Sequence, residues 1–465
     1  MSETARSLLE IIEGSLGLPS ESPVALPDGG SFKSVFGVSD LAQASIGAAG
    51  SSLAALVAQS NAADPPRVSV DRTLASAWFR LSIRPQGWEL ASAWDQFSGD
   101  YQCSDGWIKI HTNAPRHREA ALRVLGQPEN REALAQSVSS LSARQLETDV
   151  VDAGGAAAAM MTLQEWQEDP QGRAVSLEPL VHFERSTAAT KSEGEIGPAG
   201  RPLEGLRVLD LTRVLAGPVA TRLLAGWGAQ VLRIDPPNWN EPAVVPEVTL
   251  GKHCARLDLR TPQGMERVLE LLSGADIFVH GYRSDALERL GLGADVRDVI
   301  RPGLVDVSLD AYGWTGPWRG RRGFDSLVQM SSGIADEGRR AARTEEPKAL
   351  PAQALDHATG YLMAASALAG LTLRRREGVG SHWRMSLART AQLLITTRRD
   401  DEGASSSETP FVTPEGVGPR EHTPWGDALR VAPPLMVEGS PLSWSIPAHE
   451  LGSEQPRWTD AVSSM

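Results

Sequence analysis

The chain has 465 residues, 41% of them hydrophobic and 22% charged, and its 45 Lys and Arg against 58 Asp and Glu leave a formal net charge of -13. That length predicts two or three domains, and the acidic balance leaves no basic field for nucleic acid or an anionic membrane surface. No run approaches about 18 uninterrupted apolar residues, so no spanning helix is expected; Cys103 and Cys254, the only cysteines, exclude a disulfide framework and a cysteine-based zinc site.

The amino terminus, MSETARSLLEIIEGSLG, carries acids early and lacks a basic stretch followed by an apolar run. No signal peptide is expected, and the expected location is the cytoplasm. From Ser39 the chain reads SDLAQASIGAAGSSLAALVAQSNAADPPRVSVDRTLASAW: an Asp, an Ala-rich helix, a polar turn, a short strand and a second helix. From Leu355 it reads LDHATGYLMAASALAGLTLRRREGVGSHWRMSLARTAQLL, in the same order and with one gap. The shared order predicts an internal duplication, with Asp40 and Asp356 at equivalent places.

Between the first repeat and residue 183, WIKIHT alternates as a strand, and the remainder reads as a small α+β module. His111 and His117 in this stretch have no carboxylate pattern around them and are expected to be a surface pair rather than a metal site. Residues 184–203, ERSTAATKSEGEIGPAGRPL, read as a linker.

The C-terminal block alternates strands (LRVLDL, QVLRID, DIFVHG, GLVDVSL) with helices (AGPVATRLLAGWG, PQGMERVLELLSG). Strands separated by helices of this length predict a doubly wound, Rossmann-like parallel sheet covered on both faces. Asp235 ends the second strand where a ribose-binding acid sits in dinucleotide folds. The loop before it offers only Gly217 in place of G-x-G-x-x-G, which argues against that use. Residues 398–424 are charged and rich in Ser, Thr and Pro, and are expected to form a mobile surface loop.

PLEGLRVLDLTRVLAGPVATRLLAGWGAQVLRIDPP resembles the opening of the family III CoA-transferases, the CaiB/BaiF-like group that includes formyl-CoA transferase, carnitine CoA-transferase and α-methylacyl-CoA racemase. The resemblance continues through GKHCARLDLRTPQG, ADIFVHGYRSDALERLGLG, RPGLVDVSLDAYGWTGPWRGRRGFDSLVQMSSG and ALDHATGYLMAASALAGL, covering residues 202–395 in the family's order. DGWIKIHTNAPRHREAALRVLG and TLQEWQEDPQGRAV resemble the family's small domain, which here precedes the large one. SPLSWSIPAHELG resembles its closing segment. The implied organisation is a partial repeat of the large domain over 1–80, a small domain over 81–183, the linker 184–203, the large domain over 204–397, the loop 398–424, and a C-terminal segment, 425–465, packed on the large domain. This reads as a tandem of two family members that lost complementary parts.

The resemblance implies an acyl-CoA:carboxylate CoA-transferase. Its substrates would be acyl-CoA and a carboxylic acid, with no permanently bound cofactor and no metal, and a homodimer is expected. Asp356 falls where the family has its nucleophilic carboxylate; Asp40 is expected to be a structural cap. Positions matching the family's CoA contacts are Val214, Ala216, Lys252, Tyr282, Arg289 and Arg322. The family's Gly-Asp and downstream Arg are missing from DPPNWNEPAVVPE, and the Asn of its NxxK segment is replaced. The alternatives are a racemase or dehydratase of the same superfamily, or a non-catalytic CoA-binding member. Racemases carry His before the Asp of the GxD segment; here it is Phe324, which cannot exchange a proton.

Overall fold

The computed structural model describes residues 2–18, 24–61, 63–189, 197–198, 200–283, 285–399 and 416–459. The chain opens on α1 (Glu3–Ser15), capped by the Ser2 hydroxyl. It continues through β1 (Val24–Ala25), α2 (Val38–Asn61), β2 (Val68–Val70) and α3 (Arg72–Trp78). By length and composition alone α2 is long and apolar enough to cross a bilayer, although no uninterrupted apolar run announces it. Its most apolar 18-residue window is 83% buried inside the protein, against α1 and the long helix over Ala354–Glu377.

After β3 (Ile83–Pro85) comes a small α+β unit. It comprises β4 (Gly99–Gln102), β5 (Trp107–Ile110), α4 (Pro115–Val124), α5 (Arg131–Val138), α6 (Ala143–Asp152) and β6 (Ala157–Ala159), the three later strands forming an antiparallel sheet. Alternation along β5 turns Ile108 and Ile110 into a private core with Tyr101, Leu134 and Val150. Next come α7 (Leu163–Glu168), started by a Thr162–Glu165 capping box, and α8 (Pro170–Leu177).

The large unit contains β7 (His182–Ala189), β8 (Arg207–Leu211), α9 (Ala216–Gly226), β9 (Gln230–Asp235), α10 (Val245–Val248), β10 (Lys252–Arg256), α11 (Pro262–Ser273) and β11 (Ile277–His280). It continues with α12 (Ala286–Arg289), α13 (Ala294–Ile300), β12 (Val305–Asp310), α14 (Asp325–Ser331), α15 (Ile334–Ala342), α16 (Ala354–Glu377), β13 (Val379–Ser386) and α17 (Leu387–Ile395). The sheet order is β10-β9-β8-β11-β12-β13-β7, parallel except for β7. This is a doubly wound α/β fold whose strand order reverses between β8 and β11. Alternate side chains feed two cores: Val208, Val231, Val305 and Val307 pack toward α9 and α16, while Leu209, Leu211, Leu232 and Ile234 pack toward α11. Gly360 lets α16 lie against α9, because a Cβ there would meet the Ala216 carbonyl at 2.4 Å.

Three boundaries differ from expectation. The first six residues of the expected linker belong to β7, which pairs antiparallel with β13 and closes the sheet edge. Within 398–424, residues 417–423 form β14 (Val417–Thr423), hydrogen-bonded to β15 (Gly426–Val431); residues 400–415 lie outside the described residues, as do 190–196 and 199 of the linker. The C-terminal segment does not pack on the large unit alone. β15 pairs with β3, and β16 (Leu435–Val437) pairs with β2 to complete a sheet begun by the N-terminal repeat.

The two repeats face each other. α2 packs along α16, and each repeat's final helix reaches the first turn of the other's long helix. Phe79, ending α3, stacks on His357 with ring centroids 5.1 Å apart; Thr397, just past α17, accepts from the Gly37 amide at 2.8 Å. The small unit joins the large one through an apolar seam of Ala156 and Ala158 against Leu327 and Met330.

Candidate active site

A cleft of about 760 Å³ opens at the C-terminal ends of the parallel strands, where an α/β sheet whose strand order reverses leaves a crevice. Its walls are the loops after β8, β9, β10, β11 and β12, together with Ala114–His117 of the small unit and the segment Arg319–Phe324. Asp356, in the first turn of α16, lies in this cleft and is 7% exposed.

Asp325, the Asp of GFD, organises the start of α16. One of its oxygens accepts from the amides of Leu355 (2.9 Å) and Asp356 (3.0 Å), and the other accepts from the Gln329 side chain. Burial pushes Asp325 up to about 6. Burial, with Asp325 beside it, holds the Asp356 carboxyl well above the ordinary aspartate range. Asp356 is therefore not its helix's cap; Asp325 does that work and spends the first amides, which an oxyanion would otherwise use.

The cleft is cationic. Arg116, Arg283 and Arg322 line it, and among the described residues no carboxylate forms an ion pair with any of the three. Burial lowers the Arg322 guanidinium's pKa, and Arg283 and Arg116 add to the effect. Arg213 lies over the rings of Trp239 (4.9 Å) and Tyr282 (5.2 Å). Arg260 and Arg321 are taken internally, by Asp258 and Glu147.

His117 also lines the cleft, pushed down to about 4 by burial and by Arg322, Arg213 and Arg283. His111 is 6% exposed and stacks flat on Phe324 with centroids 3.8 Å apart; His117 meets the same ring edge-on. The expected surface pair is thus an aromatic clamp joining the small unit to the GFD segment.

Of the positions matched to CoA contacts, Val214, Ala216, Tyr282 and Arg322 line the cleft. Val214 has φ +65°, a left-handed conformation rare for a β-branched residue, held by the hydrogen bond its amide N–H donates to the Glu241 carboxylate (2.9 Å). Lys252 does not reach the cleft: it is fully buried, with Nζ on Asp210 (3.2 Å) and on the Pro218 carbonyl (2.9 Å). Its role is to hold the β8–α9 loop from behind. Arg289 lies outside the cleft, largely exposed and paired with Asp285 one turn back. Asp235 is fully buried and bidentate to Arg233, which removes it from any ribose. Asp40 is 1% exposed and held by Arg72 (2.8 Å) and Arg399 (3.2 Å), so it is an ion-paired core residue rather than a cap. His357, beside Asp356, is fully buried with its pKa pushed down to about 3 by burial.

Sequence reasoning missed Arg116, Arg213, Arg283 and Asp310 as cleft residues. All stand at element ends or in loops, where periodicity carries no signal.

A doubly wound sheet with a buried carboxyl at a helix start, in an arginine-lined crevice over the strand ends, is the observed arrangement. The sequence profile of CoA-transferase family III matches residues 203–413. A probable fatty acyl-CoA transferase of Mycobacterium tuberculosis is 30% identical over 274 residues, covering 54% of this chain and 67% of that protein. The succinyl-CoA:glutarate CoA-transferase of Mus musculus is 35% identical over 193 residues, 39% of this chain and 44% of that one. Among solved structures, a CaiB/BaiF family protein from Brucella suis is 25% identical with a TM-score of 0.38, covering 49% of this chain and 65% of that one. The chain belongs to CoA-transferase family III. It spans between 44% and 67% of the length of these curated relatives.

Proposed function

We propose that this chain moves CoA from an acyl-CoA to a carboxylic acid, with Asp356 as nucleophile. The observation that supports this most is the placing of Asp356 in a cleft whose arginines suit the phosphates of CoA. An oxygen of ionised Asp356 attacks the thioester carbonyl, the C–S bond breaks, and CoA thiolate leaves behind a mixed anhydride. The thiolate then attacks the aspartyl carbonyl and releases the first acid as its carboxylate. The acceptor carboxylate attacks the aspartyl thioester to form a second anhydride, and the thiolate takes the new acyl group, freeing Asp356. A desolvated carboxylate is a stronger nucleophile than a hydrated one, so its raised pKa suits the role once the group is ionised.

The decisive experiment is incubation with acetyl-, succinyl- and longer acyl-CoA donors, followed by hydroxylamine. A hydroxamate formed on the Asp356 side chain, read by mass spectrometry, supports the mechanism. CoA binding without trapping or transfer supports a non-catalytic member instead.

His117 favours a second reading, since it brings a neutral imidazole to the cleft beside Phe324. In that reading the chain exchanges the proton α to the thioester. Deuterium uptake at that carbon without transfer would select it. A location in the cytoplasm belongs to the same proposal. Both units of one chain already line the cleft, so the homodimer expected from the family would pair two whole sites.

A further inference from the structure

The reaction proposed above needs a hydrogen-bond donor for the oxygen that becomes negative, and the Leu355 and Asp356 amides at the start of α16 are already spent on Asp325. Asp310 is the last residue of β12 and lines the same cleft as Asp356. One of its oxygens accepts from the Gly313 amide at 2.7 Å, which fixes the carboxyl against the turn that follows β12. Gly313 has φ +103°, and a Cβ there would stand 3.0 Å from the Glu178 carboxylate. That carboxylate is itself pinned under the turn by the Trp314 and Thr315 amides and the Thr315 hydroxyl. Asp310 therefore sits between a fixed negative charge and a cleft, with no cation bound to it among the described residues.

We infer that Asp310 is a neutral carboxylic acid whose O–H points into the cleft and donates to the oxygen of the substrate carboxylate or thioester next to Asp356. This rests on the transferase reading and adds a residue to it. A neutral donor suits this place better than an arginine. It binds one oxygen of an entering carboxylate without neutralising the charge, so the other oxygen keeps its nucleophilicity; on a thioester or anhydride it meets the developing oxyanion. No proton is transferred in either case.

The surroundings are consistent. Burial and the Glu178 charge hold the Asp310 carboxyl well above the ordinary range. Arg389 is committed to the Glu178 carbonyl (2.8 Å). The other charged or titratable groups lining the cleft are Asp356, Asp258, His117, Tyr282 and the arginines Arg116, Arg213, Arg260, Arg283, Arg319, Arg321 and Arg322.

The test compares the full-length protein with Asp310→Asn, which keeps an acceptor for Gly313 and a donor for the cleft, and with Asp310→Leu, which keeps neither. Difference infrared spectra at neutral pH, referenced against Asp356→Asn, should show a protonated carboxyl carbonyl that Asp310→Asn removes; this readout is independent of any activity. Acetate binding, followed by titration of its proton resonance, should weaken at alkaline pH in the parent and not in Asp310→Asn. In transfer assays Asp310→Asn should stay within about threefold of the parent and lose the alkaline fall in rate, whereas Asp310→Leu should fall about a hundredfold. An Asp310 carboxyl that is ionised at neutral pH, or a fully active Asp310→Leu, overturns the inference. No transfer by the parent with any donor, but an intact infrared band and acetate response, overturns the transferase reading and leaves the donor in place.

Discussion

Replacing Asp356 with Asn should abolish transfer and make the protein more stable. The side chains are the same shape, so no cavity forms. What changes is a buried carboxyl, 7% exposed, beside Asp325, with no cation bonded to it among the described residues. Each unit by which folding raises a carboxyl's pKa costs about 1.4 kcal/mol once the pH exceeds the folded value. In Asp356→Asn that cost is relieved, so the variant's advantage should grow by at most about 1.4 kcal/mol for each pH unit above the ordinary aspartate value, up to the folded value. The sign depends on pH in a fixed way. Below the ordinary aspartate value of 3.8 the group is protonated folded and unfolded, and costs nothing; the cost grows as pH rises through and above that value. The variant's advantage should therefore be near zero at about pH 3 and should grow steadily as pH rises toward neutrality. Urea unfolding of both proteins across that range, read by tryptophan fluorescence, measures it. A variant that is less stable at neutral pH, or whose advantage is the same at both ends, refutes the reasoning.

Asp40→Ala should lower stability by about 3–5 kcal/mol, because it strands the buried Arg72 charge; turnover per folded molecule should stay nearly unchanged, and an activity loss as deep as that of Asp356→Asn would give the first repeat a site of its own. Arg283→Ala and Arg322→Ala should each weaken CoA binding by about tenfold or more, with a smaller effect at high salt, as calorimetry at two ionic strengths would show. His382, raised to about 9 by Asp298 and Asp306 against its own burial, gives stability that is full below its ordinary 6.5 and is lost as pH rises through 9, about 3 kcal/mol in all; a flat difference between the parent and His382→Asn over that window would contradict the assignment.

The parallel strands were legible because β8, β9, β11 and β12 are apolar runs bounded by turns, as buried strands are. Their lateral order was not, since it turns on β8 pairing with β11, whose Val208 and Ile277 face each other across the crossover, and the cleft follows from that order. Residues 184–189 of β7 read as linker because an edge strand has one neighbour and can stay polar; this stretch carries Glu, Arg, Ser and Thr. Asp356 was legible through the duplicated segment and the family resemblance, but its partner's role was not: Asp325 reaches the α16 amides from 30 residues away. Lys252 and Asp40 were misjudged for a common reason. Charged residues are usually solvated, and these two are buried by partners 42 and 359 residues distant.

The two similar segments set their acids in different surroundings. The first repeat keeps the long helix and its acid, but no sheet crevice stands over Asp40. Instead the end of the second repeat fills that space, through Thr397 on Gly37 and Arg399 on Asp40. At the equivalent end of α16, the first repeat offers only Phe79, stacked on His357 below the helix start, and Asp356 stays open to the cleft. The same exchange of contacts thus closes one acid with a cation and leaves the other free. The small unit, arriving before the large one in sequence, is held over the open side by His111 and His117 around Phe324. In a chain built this way both units of one copy line the cleft that holds Asp356.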